Sequence, residues 1–376
     1  MARLSPVRSV RSRPPAKRPQ WQLGEAYLMG EAARGFFIEG LSQKELGIRL
    51  QLSQASISRL LTRAREEGII EFHLKPRPEH ALSHELADKL RETRVKRVVV
   101  VPGGSGKNEG NLAGPAASIV LEELKRLRDA EIRITAAAGR TVHAVFESLI
   151  FGLTSQPAAE TRGRTLEFYP AVLGTGHSVD LSYPATQATT LALSVNRAFG
   201  ADYHGDDSGD EGRVRIKACA PSLPGNFYSF DAAERAKYLE RYGVNKIMKA
   251  AGAAQLFVVG IGNAQGKRYL DILGQMSSAM VKRVMKDAVG EIAWVPFDAE
   301  GNVLADIERD LVAIKPRELR EHAASSSRQV VAVAGGADKV GSIEAAMIDP
   351  CFSTLVTDVI NARRLIDSKR VGGAGR

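Results

Sequence analysis

Six polar side chains fall between positions 54 and 63: Gln54, Ser56, Ser58, Arg59, Thr62 and Arg63. No Asp or Glu stands from Ser53 to Arg65. Gln and Arg can hydrogen-bond base edges bidentately, and Ser and Thr suit bases or phosphates. A carboxylate in that stretch would repel a phosphate backbone. The chemistry on offer is recognition of duplex nucleic acid. The plainer alternative is a solvated polar helix face.

Such a face needs a helix to present it and a second helix to brace it. Ala26, Leu28, Met29, Ala32, Ala33, Phe36 and Phe37 recur at helical spacing, and Gly40 stops that helix. Ser42 and Glu45 form a capping-box pattern for a second helix carrying Leu46 and Leu50. Ser53 caps a third, whose Ile57, Leu60, Leu61 and Ala64 face inward and which Gly68 ends. Gly47 supplies the small residue that a close helix crossing needs. Gln51 stands where such a turn usually has Gly, so it must tolerate the bend. These features predict a helix-turn-helix, followed by a short strand over "IIEFHL".

Charge agrees. Residues 1–75 hold 13 Lys and Arg against 7 Asp and Glu, and the remaining 301 hold 39 against 36. The positive charge is thus concentrated where it could meet phosphates. A basic arm, residues 1–20, would either add phosphate or minor-groove contacts or serve as a solubilising tail. Its basic start lacks the apolar run of a secretory signal, and its prolines argue against the amphipathic helix of a transit peptide. No window holds 18 uncharged apolar residues, so no membrane span is expected. Two cysteines, Cys219 and Cys351, build neither a disulfide framework nor a zinc site. Cytoplasm is the expected compartment. At 376 residues the chain is long enough for two domains.

A connector over 77–95 begins with prolines. Its Leu82, Leu86 and Leu90 recur along a charged helix that either packs on the second domain or pairs with a partner subunit. From Lys96 onward, short apolar runs alternate with helical patterns. Strands are expected at 97–101, 132–137, 166–172, 256–261, 292–297, 330–333 and 355–357, with helices such as 112–127 and 277–286 between them. That alternation predicts a parallel sheet covered by helices on both faces, with ligands beyond the carboxyl ends of the strands. Four loops there carry polar groups: "AAGRTV" with Gly139, Arg140 and Thr141; "GIGNAQGKR"; "DAVGEIAW" with Glu291; and "AGGADKVGS" with Lys339. Backbone N–H groups and a Thr hydroxyl at a helix N-terminus suit an anion or a sugar hydroxyl.

Two motifs fail on inspection. "PGGSGKN" lacks the first Gly and the Ser/Thr of a nucleotide-binding loop. The acidic run Asp206, Asp207, Asp210 and Glu211 lacks the spacing of a calcium-binding EF-hand and reads as a solvated loop. No metal or cofactor is expected.

In their order, "GLSQKELGIRLQLSQASISRLLTRAREEGII", "AAGRTV", "DAVGEIAWVPFDAEGNV", "AVAGGADKVGSIEAAM" and "LVTDVINARRLI" resemble the SorC family of bacterial transcriptional regulators, over about residues 22–368. The resemblance implies an effector domain over 96–370, similar in fold to ribose-phosphate isomerases and glucosamine-phosphate deaminases. It would bind a sugar or sugar phosphate without turning it over. It also implies a homo-oligomer, usually a tetramer, whose grip on an operator responds to that effector. By motif, Gly139, Arg140 and Thr141 match the loop taking the phosphate or sugar end, Glu291 the acid after "AVG", and Lys339 the lysine of the "GG…K" loop. Gln187 matches a polar effector contact. Val172 departs from the pattern, because phosphosugar-binding members have an Arg there. Losing that guanidinium weakens the case for a doubly charged ligand, unless Arg140 or Arg268 compensates. A neutral sugar or polyol is the other option.

The expected fold is α/β: a helix-turn-helix domain at 21–76 and a larger doubly wound effector domain. The expected function is a DNA-binding regulator controlled by a small sugar, polyol or sugar phosphate, with no catalytic residue. The competing class is a sugar-phosphate isomerase or deaminase with an accessory DNA module. It would need a poised base, for which Glu291, Asp338 and Lys339 are the candidates.

Overall fold

The computed structural model describes residues 22–70, 77–102, 109–155, 163–174, 215–219, 221 and 223–372. Two compact units divide between His73 and Leu74.

In the first unit, α1 (Gln22–Phe37), α2 (Gln43–Leu50) and α3 (Gln54–Glu66) enclose one apolar cluster of Met29, Ala32, Leu46, Ile57, Leu60, Leu61 and Ala64. Both caps form as the sequence asks. The Ser42 hydroxyl accepts the Glu45 N–H at 3.2 Å while the Glu45 carboxylate accepts the Ser42 N–H at 2.7 Å, and Ser53 accepts the Ser56 N–H at 3.1 Å. The helix-turn-helix turn runs through Gln51, which adopts the left-handed conformation at φ 54°. This costs a residue with a Cβ more than it would cost Gly. Gly47 is sterically required: a Cβ there would stand 2.8 Å from the Leu52 carbonyl oxygen. The "IIEFHL" strand lies largely outside the described residues, and Ile69 and Ile70 are in a bend.

The second unit opens with α4 (His80–Leu90). Its fully buried Leu86 and Leu90 join the core over β1 (Arg97–Val101). There follow α5 (Glu109–Arg126), β2 (Glu131–Ala136), α6 (Arg140–Ser155), β3 (Thr165–Pro170), β4 (Arg215–Ala218), α7 (Ala232–Arg241), α8 (Val244–Gly252), β5 (Leu256–Asn263), α9 (Lys267–Met276) and α10 (Ser278–Asp287). The chain continues through β6 (Gly290–Ile292), β7 (Val295–Phe297), α11 (Ala305–Asp310), α12 (Pro316–Ala324), β8 (Gln329–Val333), α13 (Val340–Ala346), β9 (Thr354–Asp358) and α14 (Val359–Asp367).

Seven strands pair in parallel in the order β1-β9-β8-β5-β2-β3-β4. Alternate residues serve opposite faces, as the pleat requires. Val98, Val100, Phe257, Val259, Val330 and Ala332 meet α4, α12, α13 and α14 on one face. Val99, Val101, Ile132, Ile134, Val258 and Val331 meet α5 and α6 on the other. This is the two-faced architecture expected of an alternating α/β sequence. The sheet grows outward in opposite directions from β2 and β5, so their shared carboxyl ends form its switch point.

Two strands differ from expectation: β4 lies where no strand was expected, and one expected strand is divided. The apolar run 292–297 is two strands, β6 and β7, folded as an antiparallel hairpin on the end of β5. Ala293 and Trp294 make its two-residue loop with φ of 49° and 70°. Positive φ at both loop residues matches the twist of a tight hairpin, but the usual Asn-Gly signal is missing. The apolar run therefore reads as one continuous strand.

Candidate functional site

In the first unit, the buried stripe Ile57, Leu60, Leu61 and Ala64 turns the opposite side of α3 outward. Gln54, Ser58, Arg59 and Thr62 are exposed and Ser56 is half-buried. Ser56 is tied into the cap, with its hydroxyl 2.8 Å from that of Ser53, and Arg59 reaches the Ser56 hydroxyl at 3.4 Å. Thr62 donates to the Ser58 carbonyl at 3.0 Å. Ala55, which polarity alone does not single out, is exposed near the centre of this face. A methyl group there suits contact with a thymine methyl.

Arg63 stands apart from its neighbours. Its guanidinium pairs with Glu25 of α1 and with Glu67, the latter at 2.6 Å from Nη2 and 3.2 Å from Nε. Both acids lie outside the acid-free stretch, so a window along α3 misses them; only the α1–α3 packing brings Glu25 near.

In the second unit, the sheet gathers three of the four loops at the carboxyl ends of β2, β5 and β8. Gly139, Arg140 and Thr141 follow β2 and open α6, with Thr141 buried and Arg140 exposed. Val142 of the same turn packs beside Gly260 of β5. Glu291, on β6, lies opposite Gly262 of β5. A Cβ on Gly262 would overlap the Glu291 Oε1, so Gly262 makes room for this carboxylate. Glu291 Oε2 accepts the Trp294 N–H at 2.8 Å, and the Trp294 carbonyl accepts the Tyr269 hydroxyl at 2.8 Å. The hairpin loop is thereby fastened on both sides of Trp294.

Burial pushes the Glu291 carboxyl up to about 7, against the opposing pull of the Trp294 N–H and the positive Lys339. A carboxyl poised there can accept or donate a hydrogen bond near neutrality. Lys339 ends the short turn after β8. That turn is anchored by Asp358 at the tip of β9, which accepts the Gly336 N–H at 2.6 Å, and by Asn263, which donates to the Asp338 carbonyl at 3.0 Å. Gly262, Asn263, Tyr269 and Trp294 are thus parts of the site that residue type alone does not reveal. The available signal was the repeated Gly at the end of an apolar strand, which marks a close approach.

Arg268 lies in the first turn of α9, after the end of β5. Val172, two residues beyond β3, is buried against the α9–α10 cluster, so no guanidinium is delivered from that position. Gln187 and the acidic run 206–211 lie outside the described residues, as do residues 103–108 and the basic arm. Among the described residues no cluster of His, Cys, Asp and Glu could hold a metal, and no helix is long and apolar enough to cross a membrane.

Comparison with known proteins fits this geometry. The family model Sugar-bind, described as "Putative sugar-binding domain", matches residues 215–367, which include Glu291 and Lys339. Transcriptional regulator LsrR of Klebsiella pneumoniae is 27% identical over 353 residues, covering 92% of this chain and 94% of that protein. LsrR of an Enterobacter species is 26% identical over 355 residues, with the same coverage. The crystal structure of the full-length sorbitol operon regulator SorC from Klebsiella pneumoniae shares the fold. It covers 92% of this chain and 100% of its own, with a TM-score of 0.55 at 19% identity. The chain is thus similar over 92% of its length to LsrR transcriptional regulators, shares the fold of SorC, and matches a sugar-binding domain model over residues 215–367.

Proposed function

We propose that the chain is a transcriptional regulator that grips operator DNA through α3 and senses a small sugar, polyol or sugar phosphate at the strand ends of its second unit. The observation that carries the DNA half is the exposed Gln54, Ser58, Arg59 and Thr62 face, laid over a capped three-helix core. Its N-terminal half would enter the major groove, as recognition helices do. Two half-sites call for at least a dimer, and a homo-oligomer, a tetramer by the family resemblance, acting in the cytoplasm is the assembly we propose.

At the strand ends, Glu291 and Lys339 supply an acceptor and a cation for hydroxyl groups, and Gly139, Arg140 and Thr141 take the far end of the ligand. Gln187 and Arg268 complete the proposed set. With Val172 just beyond the end of β3, where the phosphosugar-binding pattern has an Arg, a neutral sugar or polyol fits at least as well as a phosphate ester. Coupling follows if the ligand favours one arrangement of the subunits over another.

Thermal-shift screening of the full chain against sugars, polyols and their phosphates tests the sensing half, because a specific binder raises stability by mass action. The expected binder also changes the affinity for a duplex selected from a random pool, and Lys339→Ala blunts that change while leaving duplex affinity intact. An undiminished response in Lys339→Ala would move the site elsewhere.

A sugar-phosphate isomerase would also place a carboxyl of this raised pKa at such a site. The relatives are named regulators, and we expect no turnover of common pentose or hexosamine phosphates. Robust turnover would favour the enzyme.

A further inference from the structure

We propose that Glu25 and Glu67 withhold Arg63 from DNA, so that α3 meets the duplex through Gln54, Ser58, Arg59 and Thr62 without it, and Arg63 acts as a positioning residue. The inference rests on the DNA-binding reading above and refines which residues carry it.

Around α3, at 100° per residue, the arc opposite the core stripe is centred on Ala55, Thr62 and Glu66, flanked by Ser58 and Arg59. Arg63 lies at the edge of that arc, on the side where Glu25 of α1 meets it. Its nitrogens are occupied. One η nitrogen pairs with Glu25, and the other η nitrogen and Nε share one oxygen of Glu67 at 2.6 and 3.2 Å. Only 19% of the Glu25 side chain is exposed, whereas 42% of Arg63 is. Drawing Arg63 toward a phosphate would leave a largely covered carboxylate without its cation, which costs far more than breaking an exposed pair.

Arg59 makes the opposite case. The contact the structure gives it is a long 3.4 Å hydrogen bond to the Ser56 hydroxyl, which a phosphate or a guanine edge can replace. At the carboxyl end of the helix Glu25, Glu66 and Glu67 offset Arg63 and Arg65, so that end offers phosphates no net positive charge, while Arg59 lies nearer the capped end. The acids thus also limit indiscriminate attraction to DNA, since one cation fewer reaches the backbone.

The test uses the salt dependence of binding. The full chain is titrated against a mixed-sequence duplex of roughly 30 base pairs, from about 50 to about 300 mM KCl, and the slope of log affinity against log salt is read. Each phosphate contact contributes about 0.9 to that slope. Arg63→Ala is expected to keep the wild-type slope while lowering the melting temperature. Should that variant fail to fold, Arg63→Gln, which retains a donor for Glu25, carries the same expectation.

The Glu25→Gln/Glu67→Gln double variant is expected to steepen the slope by about 0.9 per bound protomer. Adding Arg63→Ala to it restores the wild-type slope. A purely structural role for Arg63 would move only the melting temperature. A slope flattened by about 0.9 in Arg63→Ala, or an unchanged slope in the double Gln variant, overturns the proposal. A wild-type chain with no salt-sensitive attraction to any duplex overturns the DNA-binding reading as well, and is recognised before any variant is made.

Discussion

The two candidate sites are assembled by opposite routes. The candidate DNA face comes from one 13-residue helix, whose side chains are ordered by helical geometry and the Ser53 cap. The strand-end site draws Thr141 from the start of α6, Gly262 from β5, Glu291 from β6 and Lys339 from the turn after β8. In the first, the polar groups sit mostly in water and can be altered one at a time. In the second, Glu291 occupies the space that a Cβ on Gly262 would fill, its raised pKa reflects burial, and its partner Trp294 is itself held by Tyr269. A helix face tolerates piecemeal change. A site at the switch point of a sheet fails as a unit.

The largest expected effect tests whether α4 belongs to the body that carries the strand-end site. Leu86 is fully buried in the core over β1, so Leu86→Ala should destabilise the second unit by about 2–5 kcal/mol in urea unfolding. Duplex affinity at low temperature should hold. A loss below about 1 kcal/mol would mean that α4 packs loosely there. Next is Gly262→Ala, where the added methyl collides with the Glu291 carboxylate. Overpacking of this kind costs about 1–3 kcal/mol, and the ligand-induced thermal shift should disappear with duplex binding preserved. A normal ligand response in Gly262→Ala would show that Glu291 can move aside, and the claim of a unitary site would fall.

The same contrast decides what the sequence reveals. Caps, inward stripe and outward face of the helix-turn-helix are local, so Ser42, Glu45, Ser53 and the Ile57–Ala64 stripe are readable directly. What escapes is the non-local part: Glu25 reaches Arg63 from 38 positions away, and only through α1–α3 packing. In the second unit the alternation of apolar runs and helices predicts a two-faced parallel sheet, but not its strand order. Without that order, Glu291 and Gly262 cannot be paired. The β6–β7 hairpin is hidden for a further reason. Its Ala293–Trp294 loop takes a conformation these residues seldom adopt, stabilised by the bond Trp294 donates to Glu291 and the one its carbonyl accepts from Tyr269. No window around that loop contains its cause.

A third effect probes the helix face. Arg59→Ala should weaken duplex binding by about 1–3 kcal/mol, roughly five- to 160-fold, with the ligand-induced thermal shift unchanged. Fluorescence anisotropy against a selected duplex measures it. A loss shared between duplex and ligand binding would erase the division of labour between the two sites.

The smallest effect is a slope with pH, and its sign follows from Glu291. Burial holds its carboxyl at about 7 in the folded chain, above its ordinary 4.5. Between those values the folded chain keeps a proton that the unfolded chain has released. This group therefore favours folding most at or below its unfolded value, and that contribution is lost as pH rises through about 7. The slope cannot exceed about 1.4 kcal/mol per pH unit, and partial exposure of Glu291 will lessen it. Glu291→Gln removes the titration while leaving the other ionisable groups in place. The unfolding free energy of wild type minus that of Glu291→Gln should then fall as pH rises across this range and level off above it. A flat difference would mean that the carboxylate is already stabilised by Lys339 and the Trp294 N–H. The strand-end site would then resemble the solvated helix face it is contrasted with.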